Sequence, residues 1–233
     1  MSPGTSRRIA FARAVRLPEA AGPRAGASGR GPVLRLLILG DSSAAGVGVA
    51  RQDEALAGRL VAELAGERTV HWRLVARSGA TTAAALRLLE AQAPGAVDAV
   101  VTALGVNDAL RLTPVWLWRR RQRALVGSLR GLGARVICLS GVPPMGVAPG
   151  LPAGVRGLLG WHAARLDRAL SGLASARDGV HHLPFAALSP SGPAPADWLA
   201  RDGLHPNAAL YADWAAHVAG VLRAGLAQVP PRG

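Results

Sequence analysis

The feature that most constrains the fold is an alternation of short apolar segments with longer segments of helical periodicity, which starts at Val33. Five apolar segments have the length of strands and cover residues 33–39, 70–76, 97–104, 135–139 and 179–185. Apolar residues recur at helical spacing over residues 53–65, 83–93, 114–132, 155–176 and 207–226. Strands that alternate with helices in this way form parallel βαβ units. The sequence therefore predicts an α/β fold, a three-layer α/β/α sandwich around a central five-stranded parallel sheet.

The two ends of the chain lack this alternation. Residues 1–32 are rich in Gly, Pro, Ala and Arg without a sustained period, which predicts a flexible arm. We expect one domain over residues 33–228 and a short tail at residues 229–233, in keeping with a length of 233 residues. With 50% hydrophobic residues the chain has enough apolar surface for a packed core, which excludes a wholly disordered protein.

The formal net charge is +13, and all 27 basic residues are Arg. Because the chain contains no Lys, it cannot supply the lysine of a phosphate-binding loop. Four near-consecutive arginines at residues 119–123, together with the basic arm, favour a rival class, a module that binds nucleic acid or an anionic surface. Since these arginines spread around a helix, we expect no specific nucleic-acid binding and at most weak association with acidic surfaces.

Cysteine content and hydropathy limit the compartment. The single Cys excludes an intramolecular disulfide framework. No apolar run approaches the ~18 residues of a membrane span. Arg13, Arg16 and Glu19 interrupt the apolar block that a signal peptide requires. The sequence therefore favours a soluble, cytoplasmic protein.

Three residues that can take part in catalysis follow the first three predicted strands. Ser42, Gly79 and Asn107 each stand just after one of these strands, where ligands bind in open parallel sheets. A Ser hydroxyl can act as a nucleophile, and backbone N–H groups or an Asn amide can donate to developing negative charge. Taken singly, each residue is explained better as part of an ordinary turn or helix cap.

Asp202 and His205 stand just before the last helical segment. A carboxylate three residues before a His can reach its ring nitrogen, fix its tautomer and stabilise the imidazolium. Asp-x-x-His alone also occurs in loops by chance. The joint order of Ser, Gly, Asn and Asp-x-x-His is more specific, because it provides a nucleophile, possible oxyanion donors and an oriented base.

With these residues the sequence resembles the SGNH hydrolase family, also called GDSL-type esterases and lipases. The matching motifs are Gly40-Asp41-Ser42, Gly79 within residues 78–82, Gly-Val-Asn-Asp at residues 105–108 and Asp-Gly-Leu-His-Pro at residues 202–206. The resemblance covers about residues 33–228. It departs from the name-giving motif at Ser43, where that motif has Leu.

The resemblance implies a flavodoxin-like fold and a hydrolase without a cofactor. Ser42 would be the nucleophile, His205 the general base and acid, and Asp202 the residue that orients His205. The N–H groups of Ser42 and Gly79 and the side-chain amide of Asn107 would form the oxyanion hole. Such a serine esterase or lipase cleaves carboxylic esters or thioesters of small-molecule substrates through an acyl-Ser42 intermediate.

Two alternatives stay open at this point. A carbohydrate O-acetyl esterase would use the same residues in a more open and polar crevice. A basic binding module with a degenerate site would use the arginines instead.

Further residues are candidates for substrate contacts. Trp116 follows Asn107 by about ten residues and could wall an acyl pocket, and Pro144 and Met145 belong to a loop that would overhang the crevice. We expect no metal at His181-His182, because neighbours on a strand point to opposite faces. Cys138 is expected to be a buried packing residue.

Overall fold

The computed structural model describes residues 17–188 and 195–228. This part of the chain forms one six-stranded sheet, with strands β1 (Ala25–Ser28), β2 (Val33–Gly40), β3 (Thr69–Ala76), β4 (Ala99–Ala103), β5 (Val136–Ser140) and β6 (Val180–Leu183). The strand order is β1-β3-β2-β4-β5-β6, and β2 to β6 are parallel. The predicted α/β fold is confirmed, with one strand added at the edge of the five that were expected.

Helices cover both faces of the sheet. They are α1 (Leu56–Ala65), α2 (Thr82–Gln92), α3 (Val106–Leu110), α4 (Val115–Gly131), α5 (Ala153–Ala174) and α6 (Ala208–Ala227). Helices α1 and α6 pack on one face, and α2, α4 and α5 pack on the other. Helix α3 has five residues, which is too short for a periodic pattern to reveal it. No helix within residues 17–188 and 195–228 is long and apolar enough to cross a membrane.

Strand β2 shows why the central strands are apolar throughout. Leu36 and Ile38 point into the core beneath α1 and α6, whereas Leu37 and Leu39 point into the core beneath α2, α4 and α5. All four side chains are buried. A parallel strand with helices on both faces cannot alternate between apolar and polar residues, which explains the continuous run in the sequence.

The expectation of a flexible arm through residue 32 is wrong for its second half. Residues 25–28 form β1, which pairs antiparallel with β3, and Gly26 lies against the Trp72 ring. The strand reads Ala-Gly-Ala-Ser and is exposed, so it has no apolar alternation for a sequence pattern to detect. Main-chain pairing holds it in place. Residues 1–16 of the expected arm and the expected tail at residues 229–233 lie outside the described residues.

Candidate active site

Ser42 stands in a tight turn at the carboxyl end of β2. Gly40 permits this turn, because a Cβ at that position would come within 2.4 Å of the Ala103 carbonyl oxygen on β4. The Asp41 N–H donates to the same carbonyl over 3.0 Å, and the Val47 N–H donates to the Ser42 carbonyl over 3.0 Å. These main-chain bonds fix the direction of the Ser42 side chain.

His205 lies between Ser42 and Asp202 and bonds to both. Its Nε2 lies 2.8 Å from Ser42 Oγ, and its Nδ1 lies 2.6 Å from Asp202 Oδ2. With Nδ1–H donated to the carboxylate, Nε2 is left to accept a hydrogen bond from the Ser42 hydroxyl. The side chains of His205 and Asp202 are only 19% and 4% exposed, so little water competes with these bonds.

The Asp202 carboxylate is held from two directions. Its Oδ1 accepts the N–H groups of Leu204 and His205, each over 3.0 Å, while Oδ2 faces the His205 ring. Burial by itself would raise the Asp202 pKa, but these hydrogen bonds and the neighbouring imidazole bring it below its usual value. The carboxylate is therefore charged at neutral pH, as a residue that stabilises an imidazolium must be.

The turn that carries this pair is also fixed. Gly203 adopts a φ of +66°, which an L side chain rarely takes, and its carbonyl accepts the Gly150 N–H over 2.9 Å. The Ala200 N–H donates to the His205 carbonyl over 2.8 Å. Asn207 caps α6 by accepting the Leu210 N–H. The position of the imidazole thus follows from the main chain on both sides of it.

The three predicted oxyanion donors line one open cleft together with Asp202 and His205; they are Ser42, Gly79 and Asn107. Asn107 lies in the first turn of α3, and its Nδ2 donates one hydrogen to Asp41 Oδ2 over 3.1 Å. An amide nitrogen carries two hydrogens, so the second is available to a ligand. Gly79 has a φ of +78° in the loop after β3.

Asp41 is a buried carboxyl group directly beside the candidate nucleophile. It is 1% exposed, and burial raises its pKa to about 7, although the Ser43 N–H and the Asn107 amide oppose that shift. The charge of Asp108 raises the pKa further. Sequence reasoning gave Asp41 no role, yet it joins the Ser42 turn to Asn107.

Asp108 joins α3 to α2 through buried hydrogen bonds. It is fully buried and accepts hydrogen bonds from both the N–H and the hydroxyl of Thr82, over 2.8 and 2.9 Å. The Thr82 oxygen in turn accepts the side-chain N–H groups of Trp118 and Gln122 on α4. This network ties α2, α3 and α4 together and holds the Asn107 turn.

The loop that carries Gly79 is braced by residues that sequence reasoning did not single out. Glu19 accepts the Ser78 N–H over 2.7 Å and pairs with Arg24 over 2.9 Å. Arg24 also donates to the Ala76 carbonyl at the end of β3. The two contacts that reach the Gly79 loop and β3, Glu19 with Ser78 and Arg24 with Ala76, span 59 and 52 positions, so no local pattern in the sequence signals them.

Two cavities meet at Ser42 and His205. One is a largely apolar pocket of about 70 Å³, walled by Ala103, Leu104, Pro143, Phe185, Leu210 and Trp214. The other is the open cleft with Gly79 and Asn107, of about 460 Å³. The hydroxyl and the imidazole therefore face a narrow apolar space on one side and a wide, more polar space on the other.

The residues that the sequence suggested as substrate contacts, Trp116, Pro144 and Met145, do not line the pocket against Ser42. Trp116 lines neither cavity and is 67% exposed. Helix α4 turns Trp118 inward, and a residue two positions earlier on a helix points about 200° away, so Trp116 faces solvent. Pro144 and Met145 line an adjoining apolar depression and not the pocket against Ser42. The prediction that Trp116 walls the pocket is wrong.

Other residues singled out in the sequence lie apart from this site. Cys138 is buried in the middle of β5, and burial raises its pKa to about 12, which leaves the thiol protonated. His182 Nε2 lies 2.8 Å from Asp167 Oδ1. The neighbouring His181 side chain lies on the other face of β6, near Gly225 of α6. The two histidines therefore do not converge.

Comparisons with known proteins agree with this architecture. The model of the GDSL-like Lipase/Acylhydrolase family matches residues 38–212. A GDSL-like esterase of Mycobacterium tuberculosis is 32% identical over 200 residues, which cover 79% of this chain and 63% of the relative. The chain thus spans less than two thirds of that relative's length.

Solved structures share the fold. The crystal structure of TesA is similar with a TM-score of 0.65 and 22% identity, covering 82% of this chain and 99% of TesA. A lipase/acylhydrolase from Enterococcus faecalis gives a TM-score of 0.65 and 20% identity, covering 86% of this chain and 100% of the other. At these identities the likeness concerns the fold.

Proposed function

The chain belongs to the GDSL-like lipase/acylhydrolase family, and we propose that it is a serine hydrolase that cleaves carboxylic esters through an acyl-Ser42 intermediate. The observation that carries this proposal is the chain of contacts from Ser42 Oγ through the His205 ring to Asp202, over 2.8 and 2.6 Å. A hydroxyl paired with an oriented imidazole is the arrangement that activates serine as a nucleophile.

In the first half-reaction, His205 Nε2 takes the Ser42 proton while Oγ attacks the carbonyl carbon of the ester. Asp202 stabilises the imidazolium that forms. His205 then gives the proton to the departing alcohol oxygen, which leaves acyl-Ser42. In the second half-reaction, a water molecule loses a proton to His205 and attacks the acyl carbon, which releases the acid and restores the Ser42 hydroxyl.

The carbonyl oxygen becomes negatively charged in both tetrahedral intermediates. The N–H groups of Ser42 and Gly79 and the second hydrogen of the Asn107 amide would donate to it from the open cleft. Such donors act chiefly on the transition state, because the charge they meet develops only there.

The two cavities suggest how the substrate is divided. The acyl group would enter the apolar pocket of about 70 Å³, and the alcohol part would occupy the cleft of about 460 Å³. The apolar pocket is much the smaller of the two spaces, so it restricts the acyl group more than the cleft restricts the alcohol part. We therefore propose esters of short acyl chains as substrates, with a leaving group whose size the pocket does not restrict.

Two measurements test this function. A fluorophosphonate probe should label the full chain, and Ser42→Ala should abolish the label. A panel of p-nitrophenyl esters from acetyl to palmitoyl should show the highest kcat/KM among the shortest chains. An acetylated sugar and an acyl thioester added to the panel separate the carbohydrate-esterase and thioesterase alternatives. Labelling that persists in Ser42→Ala, or the absence of labelling in the intact chain, would reject the proposal.

A further inference from the structure

Large exposed apolar side chains are concentrated at one end of the molecule. In the described part of the chain six such residues are exposed; they are Val33, Leu112, Trp116, Val147, Leu158 and Trp161. Val33 begins β2, at the amino edge of the sheet. The other five lie on the segments that follow β4 and β5, and we call them the apolar rim.

These segments lie beside the candidate active site. They leave the carboxyl edge of the sheet, where Ser42 stands, and α5 packs against α3, α4 and the short helix Met145–Val147. His162 Nε2 lies 3.0 Å from the Thr113 carbonyl oxygen, a buried contact that joins the segment before α4 to α5. The apolar rim is thus a feature of the end of the molecule that carries the open cleft.

The outer face of α4 adds positive charge to this rim. Arg119, Arg120 and Arg123 are exposed and follow Trp116 by three, four and seven positions, which places them on one helix face with it. Arg121 points elsewhere, with its guanidinium 4.0 Å from Asp108. The expectation that these arginines spread around the helix is therefore wrong for three of the four.

The stretch of sequence that carries the apolar rim and α4 contains few acidic residues. Residues 99–168 contain ten Arg and two Asp, whereas residues 17–98 contain nine Arg and eight acidic residues. Both aspartates of the first range are engaged inside the fold, since Asp108 bonds Thr82 and Asp167 bonds His182 and the Val142 N–H. Residues 99–168 therefore contribute a net positive charge, and their two carboxylates are engaged inside the fold.

We propose that the apolar rim and the outer face of α4 form a docking surface for an anionic phospholipid bilayer. Arginines attract the phosphate headgroups, and Trp is the side chain that settles at the boundary between headgroups and acyl chains. Trp161 already stacks under the Arg165 guanidinium at 4.5 Å, a pair suited to that boundary. A nucleic acid would use the arginines but would give no place to the exposed aliphatic residues Leu112, Val147 and Leu158.

Docking in this orientation would turn the open cleft toward the lipid surface. The binding itself does not depend on the proposed esterase activity, because none of the surface residues touches Ser42, His205 or Asp202. A chain that binds bilayers without hydrolysing esters, or the reverse, would separate the two proposals.

The test measures co-sedimentation of the full chain with vesicles of phosphatidylglycerol and phosphatidylcholine, and with vesicles of phosphatidylcholine alone. One variant replaces Arg119, Arg120 and Arg123 by Gln. Its matched control removes the same charge from exposed arginines elsewhere, at Arg30, Arg59 and Arg73. A third variant is Trp116→Ala with Trp161→Ala, and all positions are exposed, so we expect the fold to persist in each.

We expect the α4 triple variant to bind the anionic vesicles on the order of 100-fold more weakly, and the control triple to change binding by less than about 3-fold. The double Trp variant should lose about 10-fold. Equal weakening by both triple variants would overturn the proposal, because it would show attraction by net charge alone. It would also be overturned if the intact chain ignored vesicles while the α4 arginines bound duplex DNA.

Discussion

The two halves of the candidate site are built differently. The proposed proton-transfer half consists of Ser42, His205 and Asp202, and His205 is hydrogen-bonded to each of the other two. The proposed oxyanion half would take its donors from three separate elements. Asn107 already donates one of its two amide hydrogens to Asp41. Gly79 lies in a loop that is held by the hydrogen bond from the Ser78 N–H to Glu19.

This difference shows how each half depends on the rest of the fold. Asp202 and His205 share one turn, so a few local hydrogen bonds hold the imidazole. Gly79 and Asn107 follow the ends of β3 and β4, and we expect their spacing to depend on the sheet, on the Asp108 network and on the segment before β1. We expect substitutions in the first half to abolish the reaction, and those in the second to reduce it by degrees.

The largest effect is expected in the proton-transfer half. Ser42→Ala should lower kcat for a short-chain p-nitrophenyl ester by roughly 10⁵–10⁶-fold, because no nucleophile remains for His205 to activate. Ser42→Ala combined with His205→Ala should be no worse than Ser42→Ala alone, since the two residues act as a unit. Losses that multiply in the double variant would contradict this arrangement. Unchanged melting temperatures serve as the control for folding.

In the oxyanion half, Asn107→Ala should lower kcat by about 10²–10³-fold with little change in KM. The substitution would remove a proposed donor to the charge that develops in the transition state, whereas the fluorophosphonate label at Ser42 should still form, more slowly. Activity within a few-fold of the unaltered chain would remove Asn107 from the oxyanion hole.

Sequence patterns predict most of the sheet and the candidate site. The features that they do not predict depend on contacts between residues far apart in the chain or on residues without an apolar pattern. Five parallel strands were predicted because their apolar runs are long enough to show burial on both faces. The sequence did not predict which face of α4 is buried, because Trp116 and Trp118 are the same residue type two positions apart. In the structure Trp118 is the buried one, and its indole N–H donates to the Thr82 hydroxyl. Strand β1 was not predicted, because its small residues give no alternation of apolar and polar side chains. The hydrogen bond from the Ser78 N–H to Glu19 was not predicted either, because the two residues are 59 positions apart.

Asp41 links the two halves and predicts a pH dependence of stability. Its pKa in the folded chain is about 7, above the usual value of 3.8, so the folded state holds its proton more tightly than the unfolded state. The resulting stabilisation is fully present below about pH 4 and is lost as the pH rises through about 7. Asp41→Asn removes this dependence and keeps an acceptor for the Ser43 N–H.

The free energy of unfolding of the unaltered chain, relative to Asp41→Asn, should therefore fall by roughly 2–3 kcal/mol between pH 5 and pH 8. Denaturant titrations of both proteins at the two pH values measure it. A difference that stays constant with pH would mean that Asp41 is ionised throughout, and would leave Asn107 bonded to a permanent charge.

The smallest effect is expected at Glu19, and it tests whether the oxyanion half depends on the segment before β1. Glu19→Ala removes the acceptor of the Ser78 N–H and the partner of Arg24, so the Gly79 loop gains freedom next to the cleft. A lost hydrogen bond of about 1 kcal/mol corresponds to a fall in kcat of about 5-fold. Glu19→Gln, which keeps an acceptor, should recover most of that loss, and Glu90→Ala on the exposed side of α2 should change nothing. If Glu19→Ala also leaves kcat unchanged, the Gly79 loop is held by the sheet alone, and the oxyanion half is as self-contained as the proton-transfer half.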